Sequence, residues 1–265
     1  MARLRIFAKG NLDVRDTLHS LRVGGVVQWN GINEIVRARF PSTVVQVVHE
    51  TATRSDALLA ATGAVPAELA ERALPLGPYP LSSQFSVQLF DTGADAIVLS
   101  VQSDVAMNLA RHKRDGYLFF PDHWQSWPEP DRRWLRDEFA HVALLDVDAS
   151  MRNFDAIVAR IRHRTPAPIL VYNLSSFVPG DTVHCHLGLG DTMSTRIRRF
   201  NVAVAELSGR TGVSVIDVDA VLARAGAARC KLDALHLTAE GCRCVAEETV
   251  RVLEDLGCFS PTGTT

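Results

Sequence analysis

Short apolar runs, each bounded by turn or polar residues, recur along the chain: "LRIFA" (4–8), "TVVQVVHE" (43–50), "DAIVLSV" (95–101), "PILVYNL" (168–174) and "VSVIDVD" (213–219). Their length and their Val and Ile content predict strands buried on both faces. Between them apolar positions fall at helical spacing, as in Phe154, Ile157, Val158 and Ile161, or Ile197, Phe200, Val204 and Leu207. Strands alternating with helices predict an α/β chain: a three-layer α/β/α sandwich around a doubly wound, mostly parallel five-stranded sheet. The last helix has both its signals. Thr238 is placed to cap it, Glu240 lies in its first turn, Val245, Thr249, Val252, Leu253 and Leu256 follow one face, and Gly257 ends it.

No internal repeat, low-complexity tract or long linker divides the chain, so residues 1–265 are expected to form a single domain, with 258–265 a disordered tail. The segment "DGYLFFPDHWQSWPEPDRRWL" (115–135) departs from the rest by holding three of the four tryptophans. It reads as a loop and short helix packing aromatics onto the core, or as a lid, pocket wall or subunit contact. Lys and Arg number 28 against 30 Asp and Glu, for a formal net charge of −2, which gives no electrostatic reason to expect nucleic acid or a lipid surface as partner. A small-molecule substrate is the expected partner. Five cysteines without paired spacing predict a reducing, cytoplasmic setting, and no apolar run approaches the roughly 18 residues that span a bilayer.

In an open parallel sheet, functional groups gather at the carboxyl ends of the strands. Here those ends read "KGNLD", "HETATRSD", "QSDV" and "NLSS", with "DALH" (233–236) in the loop after the fifth strand. In "KLDALHLTAEGCRCVAEE" an aspartate precedes a histidine by three residues, just before the capped helix. A short loop of that kind aims Asp233 at one ring nitrogen of His236 and leaves the other to take a proton.

With its "HLTAEG" continuation, this stretch resembles the last conserved block of the SGNH, or GDSL-type, hydrolases. "IFAKGNLDV", "DAIVLSVQSD" and "RRFNVAVAEL" lie where further elements of that family fall. The resemblance implies a flavodoxin-like hydrolase fold in which His236 is the base and Asp233 its orienting carboxylate. It also implies departures: the family's serine falls on Leu12, its second-block glycine near Thr51 or Ala52, and its third-block asparagine on Ser103, while Gly10, Asp104, Asp233 and His236 remain. Leucine has no nucleophile, so a covalent acyl route is closed. The backbone N–H of residue 12 survives any substitution and is expected to remain an oxyanion donor.

Other residues are candidates for contacting substrate. Asn11 and Asp13 flank Leu12, where an amide or carboxylate faces a pocket or else satisfies local backbone groups. Ser103 and Asp104 follow the third strand. In "VHCHLGLGD" (183–191), His184 and His186 point the same way if the segment is extended, so they contact substrate, hydrogen-bond locally, or reach one divalent ion with help from Asp13, Asp104, Asp191 or His236. No other cofactor is implied. Arg196, Arg198 and Arg199 near a helix start read as an anion site or a solvated face, and Ser175 and Ser176 as turn residues or replacement nucleophiles.

Three functional readings follow. One is an enzyme, hydrolase or acyltransferase, that acts on an acyl, ester or related small molecule by His–Asp general-base chemistry without a serine nucleophile. Another is an inactive pseudo-hydrolase that binds a small ligand or a protein. The third is a metal-dependent enzyme built on His184 and His186.

Overall fold

The structure, a computed structural model, describes residues 2–181 and 192–259. Each of the five apolar runs forms a strand: β1 (Ala2–Gly10), β2 (Thr43–Thr51), β3 (Ala96–Ser100), β4 (Ile169–Tyr172) and β5 (Ser214–Ile216). They make one sheet in the order β5-β4-β3-β1-β2, a parallel sheet flanked by helices. Registers such as Phe7 beside Ile97 and Leu99 beside Val171 set apolar side chains in rows across it. Ile6, Ala8, Ala96, Ile97, Val98, Leu170 and Val171 are almost wholly buried, which is why these strands read as continuous apolar runs rather than alternating ones.

The chain divides into two compact units. The first, residues 1–49, 93–102 and 166–265, holds the sheet apart from the last two residues of β2. Its helices at Leu12–Leu18, Asn33–Arg39, Met193–Thr211, Val218–Ala225 and Ala239–Asp255 bury Val14, Val36, Phe200, Val204, Leu222, Val245 and Leu253. The final helix starts as its sequence predicts: Thr238 Oγ1 accepts the Gly241 N–H at 3.2 Å. The helix ends at Asp255, with Gly257 in the left-handed region at φ 75°. Near the end of the described chain Phe259 stacks on Phe40, ring centroids 4.4 Å apart.

The second unit, residues 50–92 and 103–165, is a helical and antiparallel body of its own. Strands Leu118–Phe119, Leu109–His112 and Phe139–Val142 form a small sheet. Over it Leu69, Phe85, Phe119, Trp127, Leu135 and Phe139 make an aromatic-rich core, joined at its edge by Trp124 and Trp134. The tryptophan-rich segment therefore supplies core. Trp127 Nε1 donates to Asp122 O at 2.9 Å and Trp134 Nε1 to Glu68 Oε1 at 2.6 Å, so the indole N–H groups are paired as burial requires. No helix among the described residues is long and apolar enough to cross a membrane.

Candidate active site

At the carboxyl end of β1 the chain turns directly into the Leu12–Leu18 helix. A Cβ at Gly10 would lie 2.5 Å from Val14 Cγ2 and 2.8 Å from Val14 Cβ, so only glycine lets the helix fold back this closely over the strand. Asn11 is buried and caps the helix, its Oδ1 accepting the Leu12 N–H at 2.8 Å. That bond engages the N–H on which an oxyanion site at position 12 would draw. The Leu12 side chain itself is half-buried. From β2, His49 donates through Nε2 to Gly10 O at 3.1 Å. Burial lowers His49 to about 4, so at neutral pH it is an uncharged prop for the strand end.

Asp13 turns inward. It is buried, Ser100 Oγ donates to its Oδ2, and Oδ1 has no hydrogen-bond partner among the described residues. Burial pushes its carboxyl up from 3.8 to about 6, with the Ser100 bond opposing. Because the folded-state value is the higher, folding favours the protonated acid. This contribution to stability is fully present below pH 3.8 and is lost as pH rises through about 6. Asp13→Asn, which keeps an acceptor for Ser100, is therefore expected to stabilise the chain by about 1 to 3 kcal/mol at pH 8. The advantage should shrink toward zero below pH 4. Urea unfolding at the two pH values checks it.

The Asp233–His236 turn is formed by its own side chain. Asp233 Oδ1 accepts the N–H groups of Leu235 and His236, both at 2.8 Å, and Oδ2 accepts the His236 Nδ1–H at 2.7 Å. Burial pushes the Asp233 carboxyl up, but these three donors outweigh it and hold it below its ordinary value, as the carboxylate. The backbone closes the turn, with Leu232 N–H on His236 O at 2.9 Å and a bridge between Lys231 and Leu237. The His236 side chain is 42% exposed. Two residues that the sequence did not single out hold the turn from inside: Gln102 Nε2 donates to Leu235 O at 3.1 Å, and buried Lys231 donates to Ala234 O at 2.6 Å. The cavity that Lys231, Asp13, Tyr172, Ser175 and Leu235 help line measures about 10 Å³, the size of one water and too small for a substrate.

The remaining candidates sit as follows. Ser103 and Asp104 belong to the second unit. Ser103 Oγ donates to Ala52 O at 3.0 Å, and Asp104, its pKa raised by burial, accepts the Ser55 N–H at 2.6 Å and the hydroxyls of Ser55 and Ser150. Ser175 and Ser176 are buried, with Ser176 N–H on Asp219 Oδ1 at 2.7 Å. The Arg196 guanidinium lies over the Phe200 ring, 4.9 Å from its centroid. His184 and His186 lie outside the described residues. Among the described residues no group of three or more His, Cys, Asp or Glu is placed to hold a metal ion.

No family model matches the chain, and no curated protein matches its sequence. Solved structures do share its fold. LAE5, an alpha/beta hydrolase enzyme from the metagenome of Lake Arreo, Spain, aligns over 98% of this chain and 99% of its own, at TM-score 0.55 and 14% identity. Axe2, an acetylxylan esterase from Geobacillus stearothermophilus, aligns over 94% and 93%, at TM-score 0.53 and 12% identity. A member of the lipolytic protein G-D-S-L family from Veillonella parvula aligns over 95% and 98%, at TM-score 0.50 and 11% identity.

Proposed function

From a fold shared with the SGNH hydrolases and a formed Asp233–His236 pair, we propose that this chain is a hydrolase or acyltransferase acting on an acyl or ester bond of a small molecule, with His236 as general base. The observation that carries the reading is the bond from His236 Nδ1–H to Asp233 Oδ2 at 2.7 Å, which fixes the tautomer and leaves Nε2 to accept a proton. Nε2 takes a proton from water or from an acceptor hydroxyl as that oxygen attacks the acyl carbonyl. When the carbon–oxygen bond to the leaving alcohol breaks, the imidazolium returns the proton to it. Leu12 offers no competing nucleophile. Free Cys230, Cys242, Cys244 and Cys258 support a reducing, cytoplasmic setting.

A panel of small acyl esters tests the reading, with p-nitrophenyl acetate and acetylated xylo-oligosaccharides included because Axe2 acts on the latter class. Turnover that saturates with substrate and vanishes with His236 supports it, and product analysis with an added sugar acceptor separates hydrolysis from transfer. Turnover indifferent to His236 overturns it. A second reading, a binding module in a hydrolase fold, is favoured by one observation: the Leu12 N–H is already engaged by Asn11. Binding of esters without turnover of any of them would select that reading.

A further inference from the structure

We propose that Lys231 is the positioning residue of the Asp233–His236 pair, its ammonium clamping the turn that carries both side chains to the carboxyl end of β4. The inference rests on the reading of His236 as the base. Lys231 is 6% exposed, and its Nζ donates to Ala234 O at 2.6 Å and to Ser175 O at 3.3 Å. Ala234 lies between the two members of the pair, and Ser175 follows β4 by three residues. With Gln102 on Leu235 O, both inner carbonyls of the turn are bound to buried donors. The outer face needs no such help, because Asp233 satisfies the N–H groups there.

A buried ammonium binds carbonyls more strongly than a neutral donor does. Burial nonetheless lowers Lys231 from 10.5 to about 8, against Asp233 on its own turn and Asp219 on the Val218–Ala225 helix, which raise it; Asp13 and Tyr172 line the same cavity. Near pH 8 the clamp therefore has lost about half of its charge. Folding favours the neutral amine, so this group's contribution to stability rises between about pH 8 and 10.5 while its hold on the turn falls. A lysine that serves only to support the fold would not separate those two responses.

Nitrogen NMR of the His236 ring reports which nitrogen carries the proton and needs no substrate. In the unaltered chain the Nδ1–H form is expected to dominate at pH 7.5 and to give way to a mixture above about pH 8, without loss of thermal stability. Lys231→Met should show the mixture at both pH values. Lys231→Arg, which keeps its charge, should hold the Nδ1–H form beyond pH 9. A constant tautomer in the unaltered chain from pH 7 to 9.5, or a wild-type tautomer in folded Lys231→Met, overturns the proposal. Because the readout is the ring itself, it stands or falls separately from any assay of turnover.

Discussion

Replacing His236 with alanine is expected to lower turnover by about 10² to 10⁴, the contribution of a positioned general base, while leaving the fold intact. The side chain is 42% exposed and among the described residues it pairs with Asp233, so its removal opens no core cavity. Asp233→Asn should lower turnover as well, for a different reason. An amide at Oδ2 is free to present N–H instead of oxygen to Nδ1, which favours the tautomer that places the proton on Nε2, where a base must be empty. Asp233→Asn should also loosen the turn, since Oδ1 accepts two backbone N–H groups. The two variants are told apart by circular dichroism and melting temperature beside the rate: His236→Ala should match the unaltered chain in both, and Asp233→Asn should melt slightly lower.

Gly241→Ala is expected to lower stability by about 2 kcal/mol. Gly241 lies in the first turn of the Ala239–Asp255 helix, facing the backbone of Cys230. A Cβ there would overlap Cys230 O and lie 3.3 Å from its carbonyl carbon. Main chain cannot rotate away, so the overpacking penalty, about 3 kcal/mol at the upper end of its range, exceeds the gain of about 1 kcal/mol from replacing a helical glycine. Gly209 provides the control, in the Met193–Thr211 helix with nothing within 4 Å of a Cβ. Gly209→Ala should stabilise by about 0.5 to 1 kcal/mol. Equal effects of the two substitutions in urea unfolding would show that the close approach of Gly241 to Cys230 does not exist. Cys230 directly precedes Lys231, so Gly241→Ala should also weaken turnover.

What the sequence made legible follows from the range of the forces involved. The five central strands announced themselves because a parallel sheet buried on both faces demands unbroken Val and Ile runs, and β1 to β5 coincide with those runs. The Asp233–His236 pair was legible because its bonds span three residues at most. Other features depend on contacts that no local pattern encodes. Gln102 holds Leu235 across 133 positions, and Lys231 binds carbonyls, which every residue possesses. The hairpin of Leu21–Val23 and Val26–Trp29 leaves little trace in the sequence because its strands are so short, although Gly24 and Gly25, at φ 57° and 83°, are the residues such a turn calls for. The second unit was hidden for a related reason: its strands of two to four residues carry too little periodicity to register. Asn11 shows the reverse limit. A residue type suited equally to capping and to recognition resolves only when the cap is seen.

The placement of the indoles has a spectroscopic consequence. Trp124, Trp127 and Trp134 belong to the second unit, and Trp29 alone to the first, where it is buried with its Nε1–H on Thr17 O at 3.1 Å. Intrinsic emission thus weights the second unit three to one, whereas far-ultraviolet dichroism draws on helices in both. Followed through one denaturation, the two signals act as separate clocks for the two bodies. If the curves superimpose, the units melt as one cooperative block; if emission leads or lags, each has a stability of its own.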